Sequence, residues 1–244
     1  MGGPRPARPL DWLRWQWASV AGPAAGTADA DAIEAAGDDL LARYAEPSRR
    51  YHTLEHLAEV LQTVRSLSSP DDPGASFGLP TPGAFTAVAL AAWFHDAVYD
   101  PRSATNESES ASLATEVLAG LGVDPDLTDE VARLVRITQS HVVAPNDLNA
   151  MVLVDADLAI LAARSERYDR YAADVRSEYG HVPDDAYREG RARVLRHFAG
   201  LGSIYHCDQM VMRCDDPARR NLARELERLG AGGIEASAGP SDLA

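Results

Sequence analysis

The sequence contains no lysine: all 23 of its basic residues are arginine, against 37 acidic ones, for a formal net charge of −14. So acidic a chain excludes the basic face that grips a nucleic-acid duplex. It leaves room for a small anionic substrate, because a bound cation reverses the sign locally. Cysteine is scarce too, with only Cys207 and Cys214. On a helix that spacing puts them about 10 Å apart along the axis, too far for a bridge. This fits a reduced, cytoplasmic setting better than a secreted one. No run approaches the roughly 20 apolar residues of a membrane helix. Prolines and arginines crowd Met1 to Arg14, and no apolar stretch of signal-peptide length follows. The expectation is a soluble protein with no membrane partner. Strand signals form the last shortage.

Helical periodicity is what remains, in 244 residues of which 45% are hydrophobic, enough for one large core. The pattern predicts an all-α fold of about eight to ten helices over residues 10–229. A small, polar tail at 230–244 is expected to be disordered. A short helix carries Trp12, Trp15 and Trp17, read as core or homodimer packing. Helices follow near Asp31–Tyr44, His52–Ser66, Ala84–Tyr99, Asn106–Leu121 and Asp129–His141, the last with Thr128 as its N-cap. Leu148–Ala163, Ser165–Tyr179, Asp184–Leu201 and Asp215–Leu229 complete the set. The Ala84–Tyr99 helix is apolar nearly all round, as a buried central element must be. Residues 68–83, rich in proline and glycine, read as a surface excursion or a lid.

Four places carry chemistry. His52 and His56, at i and i+4, share a helix face. His95-Asp96 ends the apolar helix, where an acid needs a partner or a capping role near Asp100-Pro101. Asp155 and Asp157 sit inside another apolar helix, about 160° apart around its axis. Asp157 shares its face with Leu153, Val154, Ile160 and Leu161 and is the better ligand. Asp155 is left to bond a neighbouring helix or to support the histidine shell. His141 closes a helix, either as a cap for the dipole or as part of a site, and Asn106 and Glu107 are open in the same way. His56, His95, Asp96 and Asp157 together make a mixed nitrogen and oxygen set. Such a set suits one divalent transition metal (Mn, Fe, Co, Ni or Zn) better than Mg.

The order His56, His95-Asp96, Asp157 resembles the H…HD…D pattern of the HD-domain metal-dependent phosphohydrolase superfamily. Tyr51-His52-x-x-x-His56 before His-Asp is similar to the arrangement in cyclic-nucleotide phosphodiesterases. Further stretches resemble a bacterial family of HD proteins. They are Arg50-Tyr51-His52-x-Leu54-x-His56, Phe94-His95-Asp96-x-x-Tyr99, Asn106-Glu107-x-x-Ser110-Ala111 and Asp155-Ala156-Asp157-Leu158. Arg176-x-Glu178-Tyr179, Gly190-Arg191-x-x-Val194-Leu195 and Asn221-Leu222-Ala223-x-Glu225-Leu226 extend the resemblance to residue 229.

The resemblance implies a helical fold around a metal held by His56, His95, Asp96 and Asp157, and hydrolysis of a small phosphoester, nucleotides included, by metal-activated water. His52 matches the histidine that protonates the leaving oxygen, and Asp96 or Asp157 would orient the water. Arg50 is placed to bind a phosphate oxygen, with His141, Arg176 and Arg191 as further substrate contacts, and Glu107 is expected to position His52. Dinuclear HD proteins carry more histidines between the His-Asp pair and the last Asp, where this chain has only His141; one metal is expected. Two other readings stay open. One is a non-catalytic, metal-containing nucleotide-binding module; the other is a di-iron oxygenase, which needs a second metal.

Overall fold

The computed structural model describes residues 9–26, 28–68 and 82–230. The excursion expected at 68–83 and the tail at 230–244 lie almost wholly outside them. The described residues are all-α, with ten α-helices and one short 3₁₀ turn. The helices are α1 (Pro9–Ala24), α2 (Ala30–Tyr44), α3 (Leu54–Leu67), α4 (Pro82–Phe94) and α5 (Asn106–Gly120). They continue with α6 (Pro125–Ile137), α7 (Leu148–Asp157), α8 (Ser165–Glu178), α9 (Asp184–Gly200) and α10 (Asp208–Arg228).

Helix α4 is the hub. Ala87 through Phe94 are all at most 1% exposed, because α1, α3, α5, α6 and α7 pack around it. Its run of small residues lets these neighbours come close, while Trp93 and Phe94 fill the end nearest α1. Trp17 meets Trp93 edge-on at 5.3 Å and donates its indole N–H to the Ile33 carbonyl at 2.7 Å. Gly37 in α2 is required there, since a Cβ would collide with the Trp17 ring. Trp15 does not join them: it is 54% exposed, with the Arg65 guanidinium over its ring. The buried apolar residues form one continuous cluster from Leu13 to Leu226.

Local chemistry moves several helix starts. Asp124 caps α6 through the backbone N–H groups of Asp126 and Leu127, and Pro125 takes the first helical position. Thr128 is therefore buried inside the helix rather than capping it. Helix α10 begins at Asp208, seven residues before the expected Asp215, and Pro217 lies within it. Both cysteines are free thiols. The expected Leu148–Ala163 helix tightens into a 3₁₀ turn at Leu158–Ala162, so Asp157 is the last residue of α7. Helix α4 stops at Phe94, leaving His95 and Asp96 in the turn beyond it. Thr53 caps α3 by accepting from the Glu55 N–H, so His52 stands in the turn before the helix and not on its face.

Candidate metal centre

Three helix ends converge on one point. His56 comes from the first turn of α3, His95 and Asp96 from the turn after α4, and Asp157 from the end of α7. Nε2 of His56 lies 3.1 Å from Nε2 of His95. Asp157 Oδ1 is 3.3 Å from the first nitrogen and 3.7 Å from the second. Asp96 Oδ2 approaches them to 3.4 and 3.1 Å. His56, His95 and Asp157 offer one donor atom each, all within 4.8 Å of one another, a spacing that can hold a metal ion. Both imidazoles are at most 2% exposed, whereas each carboxylate keeps 17% of its side chain open. The group is closed from behind and open in front.

Tautomers follow from the partners. His95 Nδ1 stands 2.8 Å from the Ala92 carbonyl oxygen. A carbonyl can only accept, so Nδ1 carries a proton and Nε2 is the nitrogen turned toward the cluster. The electrostatics describe a site built for positive charge. Burial pushes the His56 imidazole down, but hydrogen bonds to Asp157 and Asp96 lift it to about 9. His95 is raised despite burial by the Asp96 charge beside it. Burial opposes ionisation of Asp96 and Asp157, yet the surrounding imidazoles hold both well below the usual carboxylate range. Two carboxylates this deep need a counter-charge, which the two imidazoles supply when protonated and a bound cation would supply in their place. A divalent cation fits that donor set.

The turn carrying Asp96 is held by a residue that sequence reasoning passed over. Arg49, 3% exposed, donates to the carbonyls of Asp96 at 2.6 Å and Ala97 at 3.1 Å. It also reaches the His52 carbonyl at 3.3 Å, tying the turn before α3 to the turn after α4. Its neighbour Arg50, expected to bind phosphate, is exposed and donates to the Pro47 carbonyl of its own loop. Nothing in the dipeptide Arg49-Arg50 says which arginine turns inward.

His52 is held by Glu178 and not, as expected, by Glu107. The Glu178 Oε2 lies 2.7 Å from His52 Nδ1 and accepts the Tyr99 hydroxyl at 2.9 Å. Its Oε1 accepts the backbone N–H groups of Arg50, Tyr51 and His52. Burial works against this carboxylate, but His52 and those amides draw it down to about 2. Tyr99 also stacks on the His52 ring at 4.1 Å. Glu107 is half-buried and its charge is felt at Tyr179. A signal for Glu178 was present: Tyr168, Tyr171, Val175 and Glu178 recur at helical spacing on the buried stripe of α8.

The remaining candidates divide. His141 Nε2 lies 3.0 Å from Asp157 Oδ2, from a residue in left-handed backbone at φ 54°. It therefore orients the Asp157 carboxylate. Arg191 is locked to Glu225 at 2.9 and 3.1 Å. Arg176 braces the end of α8 through the Tyr179 and Val182 carbonyls and Asp184. Neither guanidinium is free to clamp a substrate. Asp155 does not support the histidines of the cluster: it accepts from the backbone of His206 and Cys207 and from the His206 ring, anchoring the start of α10.

Two cavities reach the cluster. One, of 620 Å³, opens between α8 and α9 and has His52, His141 and Asp157 at its inner end. The other, of 430 Å³, runs between α3 and α10 to His56 and Asp157 but does not include His52. Comparison with family models, curated proteins and solved structures finds no match to this chain.

Proposed function

We propose that this protein is a divalent-metal-dependent phosphohydrolase of the HD type, with the metal held by His56, His95, Asp96 and Asp157. The observation that carries the reading is one adjacency. A buried cluster that could hold a cation shares the 620 Å³ cavity, through Asp157, with an imidazole fixed from behind by a carboxylate. A cation there would supply Lewis-acid chemistry, neutralising a phosphoryl oxygen and making water a nucleophile near neutral pH.

The chain's own residues do the rest. Glu178 accepts a hydrogen bond from His52 Nδ1–H, which leaves Nε2 as the nitrogen that exchanges protons at the cavity. That hydrogen bond fixes the ring's orientation and tautomer, so His52 is placed to hand a proton to the leaving oxygen of an ester. Tyr99 stacks on the ring and fixes its plane. Asp157, steadied by His141, and Asp96, whose turn is pinned by Arg49, hold their carboxylates in place at the open face. The metal is a transition ion, because imidazole nitrogen and carboxylate oxygen are shared equally.

The test compares metal content and phosphoester hydrolysis in the wild type, His52→Ala and Asp96→Ala. About one metal per chain is expected in the wild type and in His52→Ala, and much less in Asp96→Ala. Hydrolysis should fall about 10²–10⁴-fold in His52→Ala and vanish in Asp96→Ala. A wild-type protein that binds no transition metal after reconstitution sinks the proposal. So does a His52→Ala variant as fast as its parent.

A further inference from the structure

The walls of the 620 Å³ cavity differ sharply from its floor. Beyond His52, His141 and Asp157 the lining is aromatic and aliphatic: Tyr171, Tyr179, Tyr187, Val175, Val194 and Phe198. Its arginines are spoken for. Arg191 is paired with Glu225 at 2.9 Å and Arg193 with Glu189 at 3.2 Å. Among the described lining residues, then, no guanidinium is without a carboxylate. A chain of phosphates entering here would carry its charges past mostly apolar walls, with only the exposed Arg193 pair and the buried Arg191 pair beside them. The cavity volume is that of a small-molecule site, lined as such sites are.

Two polar atoms stand out in this lining. The hydroxyl oxygens of Tyr51 and Tyr187 are buried and have no hydrogen-bond partner. Neither oxygen is open to the cavity, so these tyrosines offer it no hydrogen bond. Elsewhere the neighbouring tyrosines are satisfied: Tyr99 donates to Glu178 and Tyr168 to Glu225.

Building on the phosphohydrolase reading, we infer that the cavity takes the neutral, ring-bearing body of a substrate with a single phosphoryl group, and rejects polyphosphates and small polar esters. The phosphoryl group meets the metal centre and His52. The ring lies among Tyr171, Tyr179 and Tyr187.

Gly190 in α9 gives a clean way to test this, because it lines the cavity and a Cβ added there meets nothing within 4 Å. Gly190→Leu fills the cavity and favours the helix at the same time. The probe is 2-naphthol, the neutral ring alone, titrated calorimetrically into metal-free protein. Binding to the wild type is expected, weakened at least tenfold in Gly190→Leu at unchanged melting temperature. In a parallel assay of the metal-loaded protein, 2-naphthyl phosphate should be cleaved with a kcat/KM about 100-fold above glycerol phosphate or tripolyphosphate.

No binding of 2-naphthol, or equal binding to Gly190→Leu, overturns the inference whatever the hydrolysis assay shows. Tripolyphosphate or glycerol phosphate cleaved as well as the naphthyl ester overturns it too, and leaves the phosphohydrolase reading standing. Naphthol bound as expected with no ester cleaved upholds the cavity's preference and sinks the phosphohydrolase reading instead.

Discussion

Glu178 holds Nδ1 of His52 at 2.7 Å across 126 positions of chain, and the same carboxylate accepts three consecutive backbone N–H groups of that turn. A Gln side chain at 178 keeps the shape but would donate to Nδ1 where the carboxylate accepts. The imidazole then loses the acceptor that fixes its tautomer and orientation. Glu178→Gln should therefore lower turnover about 10–100-fold with metal content unchanged. Elemental analysis beside steady-state kinetics checks this; metal lost in step with activity would show that Glu178 only holds the fold.

The same carboxylate sets an acid limit on stability. Its pKa falls from an ordinary 4.5 to about 2 in the folded protein. Lowered in the folded state, it contributes stability that is complete above about 4.5 and disappears as the pH falls toward 2. Denaturant melts of wild type and Glu178→Gln between pH 7 and pH 3 should thus converge on acidification. Parallel curves over that interval would contradict the assignment.

Arg49 and Arg50 should behave oppositely. Arg49→Met strips the donors from the Asp96, Ala97 and His52 carbonyls and should cost about 3 kcal/mol together with metal affinity, since Asp96 stands on that turn. Arg50→Ala removes only a contact to its own loop and should leave stability, metal content and KM within error. A large rise in KM for Arg50→Ala would restore the phosphate role that its exposed position denies it.

Asp155 offers a separation of structure from site. Asp155→Asn replaces one carboxylate acceptor by a donor facing the His206 and Cys207 amides. Urea melts should show a loss of about 2 kcal/mol, while metal stoichiometry stays that of the wild type. Metal loss in a folded Asp155→Asn protein would place Asp155 in the centre after all.

Helical periodicity and the run of small and apolar residues in α4 were enough to read an all-α protein with α4 at its middle. Burial on every side needs apolar residues on every side, and that pattern is local. His56, His95, Asp96 and Asp157 were readable for a related reason: charged or imidazole groups in apolar surroundings are costly unless they converge on something. What tertiary structure alone decided was the support around them. Arg49 and Arg50 are equivalent by composition, and only the approach of the α4 turn makes one buried and the other exposed. Glu107 and Glu178 are both acids on helices, and packing of α8 against the turn before α3 brings the second, not the first, to His52. Asp155 and Asp157 share a helix, yet α10 claims one and the His56–His95 cluster the other. Periodicity reports which face of an element turns inward; the partner waiting there comes from another part of the chain, and only the packed fold brings the two together.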